Sequence, residues 1–318
     1  MKKRNVIGLL ILAVAASFAA AQPAANRPIR IIVALGPGTP SDAVARAIAP
    51  KLSAILEQTV IVDNKPGANG VIAMQELIRA NPDGTTLLMG SISPLAINVA
   101  LIKNLPYDPR RDITPVGGVY AANQVWVVRN SFPARTFAEL IAYAKQNPGK
   151  VSAGHYSSLT QIQFAAVSKM AGMNLLSVPY KSTSTAYTDL IGGTIDLSLM
   201  DMATAINNVK GGQVRALAVT TLKRNPLALE IPAVSETLPG SHFATWSALV
   251  GPPGMQPEVV NRLNAAINQA IKQPDFVNSL ASNGVIAWST TPAELKSSIE
   301  SEVKTWSKLA REANIQPE

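Results

Sequence analysis

The chain contains no cysteine. Disulfide staples, thiolate metal sites and a lipid-modified cysteine at a signal junction are thereby excluded. Histidine is almost as scarce, with His155 and His242 the two present, so a metal centre of the usual His/Cys type has almost no ligands. His155 precedes Ser157 by two residues, but Gly154 to Ser158 is not a G-x-S-x-G elbow, and adjacency in sequence does not orient a catalytic triad. No enzyme activity is expected. Long hydrophobic runs are missing too, since Val6 to Phe18 is short for a membrane span and no other stretch approaches the length. Runs of Lys or Arg interleaved with aromatics are absent, which makes nucleic acid a poor partner. Gly36-Pro37-Gly38 and Gly67-Ala68-Asn69-Gly70 form neither G-x-G-x-x-G nor a P-loop, so no nucleotide or other cofactor is expected.

What is present is core. At 318 residues and 47% hydrophobic content the chain is long enough for two domains of ordinary size. Lys2, Lys3 and Arg4, the apolar run and Ala19-Ala20-Ala21 read as a secretory signal peptide over residues 1–21, cleaved after Ala21. Loss of its three basic residues takes the formal charge from +8 to +5, a mildly positive exterior that favours acidic small molecules. An exported protein without disulfides fits the periplasm of a Gram-negative bacterium.

Residues 29–49 organise the rest. Ile29, Ile31, Ile32, Val33 and Leu35 make a buried strand interrupted only by Arg30. It stops at Gly36-Pro37-Gly38; Thr39 is then an N-cap, Pro40 fits the first helical position, and Asp42 stands where a capping box has its acid. The unpaired N–H groups of such a first turn suit an anion, although an ordinary βα turn has the same look. Pro50 predicts a kink or break in the helix from Pro40 to Leu56.

Val60 to Val62 and Thr85 to Met89 are further strands around a helix whose apolar positions Ile72, Leu77 and Ile78 share a face. The βαβαβ pattern predicts a parallel sheet with its binding loops at the strand carboxyl ends. Val116 to Arg129 reads as one extended stretch, with the first crossing between domains near Ala121. Helices and strands alternate again from Phe137 to Thr220, and an extended segment from Trp246 to Val250 is expected to return to the first domain. The last helix is the best signalled: Thr291, Pro292 and Glu294 start it, and Leu295, Ile299, Val303 and Trp306 recur at helical spacing as core.

Polar loops recur in both halves. Those of the first half hold Leu35, Gly36, Pro37, Gly38, Thr39, Asp42, Ala68, Ser91 and Ser93; those of the second hold Tyr156, Ser157, Ser158, Thr160, Lys181, Ser182 and Thr183. Helix termini and backbone nests can hold a carboxylate without a buried arginine. Each Ser or Thr taken singly could simply cap its helix. Recurrence in both halves favours a ligand-binding cleft between two domains.

Six ordered segments, Lys65 to Gly70, Asn81 to Leu88, Leu105 to Asp108, Val178 to Lys181, Thr188 to Gly193 and Arg215 to Thr220, resemble the signatures of the tripartite tricarboxylate transporter substrate-binding proteins, the Bug or TctC-like family. The resemblance implies a periplasmic binding protein of Venus-flytrap form, with two doubly wound α/β domains joined by a hinge of two crossings. Domain 1 would comprise 22–121 and 247–318, and domain 2 would comprise 122–246. It implies a monomer that closes on a small carboxylate and presents it to a membrane permease with one large and one small subunit; a sensor subunit reporting ligand to a membrane kinase is the alternative. The turn Gly36 to Asp42, Ser157-Ser158 and Lys181 to Thr183 match ligand-facing loops, and Asp201, which follows a strand end, matches a position that can meet an amino or hydroxyl group, with an outward cap as the alternative. Departures occur at Gly36-Pro37-Gly38, Tyr156, Thr160 and Ser182, and the bulk of Tyr156 and Ser182 leaves ligand size and identity open.

Overall fold

The computed structural model describes residues 27–241, 243, 245–312 and 315–317. The expected signal peptide and His242 lie outside them. Eleven strands occur among the described residues: β1 (Ile29–Val33), β2 (Val60–Asn64), β3 (Thr86–Ser91), β4 (Thr114–Ala122), β5 (Gln124–Arg129), β6 (Ser152–His155), β7 (Leu176–Pro179), β8 (Leu197–Asp201), β9 (Val214–Val219), β10 (Thr245–Gly251) and β11 (Val285–Ala287).

Two sheets result, ordered β11-β4-β10-β3-β1-β2 and β7-β6-β8-β5-β9. In the first, β1 runs parallel to both β2 and β3, as helical crossovers at Pro40–Leu56 and Val71–Ile78 require. The sheet as a whole is mixed, because β10 pairs antiparallel with both β3 and β4, and β11 pairs antiparallel with β4. A strand re-entering from the other half arrives from the opposite edge, which reverses its direction. The second sheet repeats the device: β6 is parallel to β7 and β8, whereas β5 is antiparallel to β8 and β9. The chain passes between sheets at Asn123, directly between β4 and β5, and returns between β9 and β10.

Several expectations are corrected by packing. The helix Pro40–Leu56 runs on through Pro50. Pro50 is exposed while Ala49 and Leu52 beside it are buried, so solvent can take up the carbonyl that a proline leaves without a donor. Ile72 does not join the inner face of its helix: it is 48% exposed, and Ala73, Met74 and Leu77 are the buried positions. By contrast, the extended run Val116 to Arg129 divides between two sheets at Asn123, two residues from the crossing expected near Ala121, while β3 runs past its expected end at Met89 to Ser91. The charge inside β1 is neutralised, since Arg30 donates to Asp63 at 3.0 Å and also pairs with Glu76.

The final helix, Pro292–Glu312, begins with the expected capping box, Thr291 and Glu294 exchanging hydrogen bonds. Its stripe Leu295, Ile299, Val303 and Trp306 is buried. Among the described residues no helix is long and apolar enough to cross a membrane.

Candidate functional site

A cavity of about 240 Å³ lies where the two sheets meet. From the first sheet it is walled by Ser91 and Ser93 at the end of β3, Tyr120 on β4, Trp246 and Ser247 on β10, and the turn Asn283-Gly284 that leads into β11. Asp201 comes from the end of β8 in the second sheet, Met202 from the helix that follows it, and Leu159 from the helix Ser158–Ala171. Asn123 and Gln124, the crossing itself, complete the wall.

Three predicted residues therefore line this cavity: Ser91, Ser93 and Asp201. Pro40, next to Thr39, lines it as well. The other predicted positions of the first turn are organised by Asp42, which is 4% exposed. Its carboxylate accepts from Gly38 N–H at 2.9 Å, Asn64 Nδ2 at 2.9 Å and Arg46 Nε at 3.0 Å. Burial alone would raise the pKa of that carboxyl; the three donors outweigh it and hold it below the usual carboxylate range. Asp42 so occupies an amide that an anion would otherwise use. Thr39 caps the helix, accepting from Asp42 N–H and donating to Gly36 O at 2.9 Å. Leu35, Pro37 and Gly38 are exposed, as is Ala68 in its positive-φ turn.

In the second half, Ser157 caps the helix Ser158–Ala171 through a box with Thr160. Thr160 is fully buried, accepting from the N–H groups of Tyr156 and Ser157 at 3.2 Å each. Ser182 caps the helix Thr183–Ile191, with Lys181 and Thr183 exposed beside it. Asp201 caps Met202–Lys210 by accepting from Thr204 N–H at 2.9 Å. Capping thus accounts locally for Thr39, Ser157, Ser182 and Asp201, and of these four Asp201 also faces the cavity.

Behind Gln124 sits a buried polar cluster. Gln124 Nε2 donates to Tyr156 Oη at 3.0 Å, and Tyr156 Oη donates to Leu199 O at 3.0 Å. Tyr187 Oη lies 3.4 Å from Tyr156 Oη and accepts from Asp201 N–H. Burial pushes the Tyr156 phenol up to about 12, with the Asp201 charge adding to the effect, and burial raises Tyr187 further still. Both are therefore neutral donors at any physiological pH. The departure at Tyr156 consequently fills space behind the wall and fixes Gln124. Opposite, Tyr120 Oη is 2.7 Å from Ser41 Oγ, and burial raises that phenol also.

Sequence reasoning missed Asn123, Gln124, Tyr120, Trp246, Ser247 and Asn283-Gly284 as wall residues. They sit in strands or adjoining turns, and an extended apolar run reads as core. The usable signal was the Asn123-Gln124 pair, two carboxamides interrupting the stretch Val116 to Arg129.

Among the described residues that line the cavity Asp201 is the one carrying a charge, and neither Lys nor Arg joins it. The wall offers hydroxyls, carboxamides and an aromatic face, which can orient a small polar molecule but supply no nucleophile–base pair. His155, half-buried and with its pKa lowered by burial, stands outside this wall. No group of three or more His, Asp or Glu residues suited to a metal ion occurs among the described residues.

Comparison with known proteins places this geometry. Residues 44–315 match the model of the TctC family, the tripartite tricarboxylate transporter family receptor. The chain is 35% identical over 320 residues to a UPF0065 protein encoded between tcbD and tcbE in Pseudomonas sp. strain P51, covering 98% of this chain and 95% of that one. Bordetella pertussis BugT is 30% identical, with 90% and 89% covered. A solved R. palustris protein with adipate superposes with a TM-score of 0.79 at 29% identity, covering 92% of this chain and 99% of that one. MatC from Rhodopseudomonas palustris with bound malate gives 0.75 at 26% identity, covering 91% and 99%. By sequence across nearly its whole length and by the arrangement of its two sheets, the chain belongs to the tripartite tricarboxylate transporter receptor family, TctC, with Bug proteins among its relatives.

Proposed function

We propose that the protein is a periplasmic solute-binding protein that captures a small carboxylate in the cavity between its sheets and delivers it to a tripartite tricarboxylate-type permease of one large and one small membrane subunit. Binding, and not catalysis, is the whole of its chemistry. The observation that carries this reading is a cavity at the chain crossing, walled from both sheets by hydroxyl and carboxamide groups. Two structural neighbours hold dicarboxylates, adipate in one and malate in the other. A ligand touching both walls binds the closed arrangement more tightly than an open one, so it shifts a hinge equilibrium toward closure.

In this reading, 22–121 with 247–318 forms one lobe, 122–246 forms the other, and the protein works as a monomer after residues 1–21 are removed. Ser91, Ser93 and Asp201 face the ligand in the arrangement described. The loops at Gly36 to Thr39, Ala68, Ser157-Ser158 and Lys181 to Thr183 reach it on closure.

A thermal-shift screen against aliphatic dicarboxylates, hydroxy and amino acids, and aromatic carboxylates tests the function. Ligand at 100 times its dissociation constant adds about 2.7 kcal/mol, which raises Tm by a few degrees in a chain of this size. A shift confined to one class identifies the ligand class. A flat response across every class contradicts carboxylate capture.

A further inference from the structure

The two flanks of the crossing are built differently. Successive side chains of a strand point to opposite faces, so along β5 Trp126 and Val128 enter one apolar cluster while Val125 and Val127 enter another. The cluster of Val125 and Val127 draws on the second sheet and the helices Thr183–Ile191 and Met202–Lys210. The first sheet has a counterpart of its own, covered by the helices Pro40–Leu56, Pro257–Ala270 and Pro274–Ser282. Trp126 and Val128, in contrast, belong to a cluster that both sheets share, with Ile32 and Trp246 from the first and Ala153 and Leu199 from the second. Among the described residues one flank is thus a continuous core, and on the other each half keeps a core to itself.

The final helix seals the shared flank. It packs on residues 93–101 of the first half and on the helix Ser158–Ala171 of the second. Trp306 lies 6.4 Å from Phe243 between ring centroids, Gln163 Nε2 donates to Phe243 O at 3.1 Å, and Lys169 Nζ donates to Glu312 O at 3.3 Å. Parting this seam would return buried rings and aliphatic chains to water. On the opposite flank the halves touch at Gly284 and Ala203, where a glycine meets backbone and a methyl group, and separating them exposes little apolar surface. Asn283-Gly284 and Asp201-Met202 also wall the cavity, so a gap on that flank uncovers it. Taking up the two-half closure described above, and independently of which ligand drives it, we propose that the halves turn about the apolar seam between Ser158–Ala171 and Pro292–Glu312, opening the cavity on the opposite flank where Asn283-Gly284 parts from Asp201 to Ala203.

Because the chain has no cysteine, pairs of spin labels can be placed without background. Met170→Cys with Lys304→Cys spans the seam, and Asn207→Cys with Asn278→Cys spans the opposite flank, all four being exposed helical positions. The Tm of each pair establishes that it is folded. Pulsed electron paramagnetic resonance on the unliganded protein should give a narrow distance distribution across the seam and a broader one across the flank. Succinate, malate, adipate and benzoate are then added singly; with whichever raises Tm, the flank distances should shorten and narrow while the seam distances stay where they were. Equal widths in the unliganded protein, a seam distance that moves with ligand as far as the flank distance, or a ligand that raises Tm and moves neither pair would each overturn the proposal and leave carboxylate binding standing. If none of the four raises Tm, that result counts against carboxylate capture, and the two widths in the unliganded protein still decide where the halves turn.

Discussion

Trp126→Ala is expected to lower the unfolding free energy by about 3–5 kcal/mol, the range for truncating a large buried aromatic. Trp126 on β5 has no exposed surface and stands edge-on to Phe137 at 5.3 Å and to Phe164 at 5.0 Å between ring centroids. Three elements of the second half therefore share one side chain, and alanine would leave a cavity that two rings, held by their own helices, cannot fill. Trp126→Phe should behave differently. Its indole N–H is buried without a partner among the described residues, so phenylalanine loses some packing and also removes an unsatisfied donor. We expect a clearly smaller loss than for alanine, because the phenyl ring refills most of the space that the indole occupied. Urea denaturation of both variants checks the pair; a Trp126→Phe loss as large as that of alanine would contradict this account of the core.

The second large effect is on the hinge. Gly284 has φ +71°, and a Cβ placed there would stand 2.6 Å from the backbone nitrogen of Ala203, which no neighbouring side chain can relieve by moving. Gly284 belongs to the turn feeding β11 of the first sheet, whereas Ala203 lies in the first turn of the helix Met202–Lys210 behind β8. This is a backbone-to-backbone contact between the two halves at the edge of the cavity. Gly284→Ala should push the halves apart and weaken ligand binding by tenfold or more, in addition to costing about 1–2 kcal/mol for an L-residue in the left-handed region. Gly149 provides the control, with the same φ of +71° and nothing within 4 Å of a Cβ. Gly149→Ala should show the stability loss alone. Titration of both variants with the ligand found by thermal shift separates strain from collision, and equal affinities would contradict a contact that sets closure.

Much of the fold was legible because local signals agreed with one another. The cap and stripe of the final helix, the strand–turn–helix from Ile29 and the return of Trp246 to Val250 each combine a terminus signal with a hydrophobic period, and each stands where expected, except that the first strand ends at Val33 and leaves Leu35, expected within it, exposed in the turn. Failures arose where tertiary context decides. Pro50 is tolerated because it faces solvent, and Ile72 is exposed because Ala73, Met74 and Leu77 form the inner face. The three-residue strand β11 is too short to leave a period, and the antiparallel pairing of β10 follows from a crossing that no local pattern encodes.

The site was legible only in part for a related reason. Loops announce themselves through Gly, Pro, Ser and Thr, so Ser91 and Ser93 were found. The rest of the wall comes from strand residues and an interdomain crossing, where Asn123, Gln124 and Trp246 carry the polar and aromatic surface inside otherwise apolar runs. Side chains that cap helices look the same in sequence whether or not they also face a cavity, as Ser182 and Asp201 illustrate.

Tryptophan fluorescence during titration tests the central claim most directly, because Trp246 lines the cavity and lies 5.2 Å, centroid to centroid, from Trp288. Addition of the carboxylate that raises Tm should give a saturable change in emission whose midpoint matches the calorimetric dissociation constant, and Trp246→Phe should abolish most of the change. A carboxylate that binds by calorimetry while leaving the emission of the unmodified protein untouched would place the ligand elsewhere and contradict a site between the two sheets.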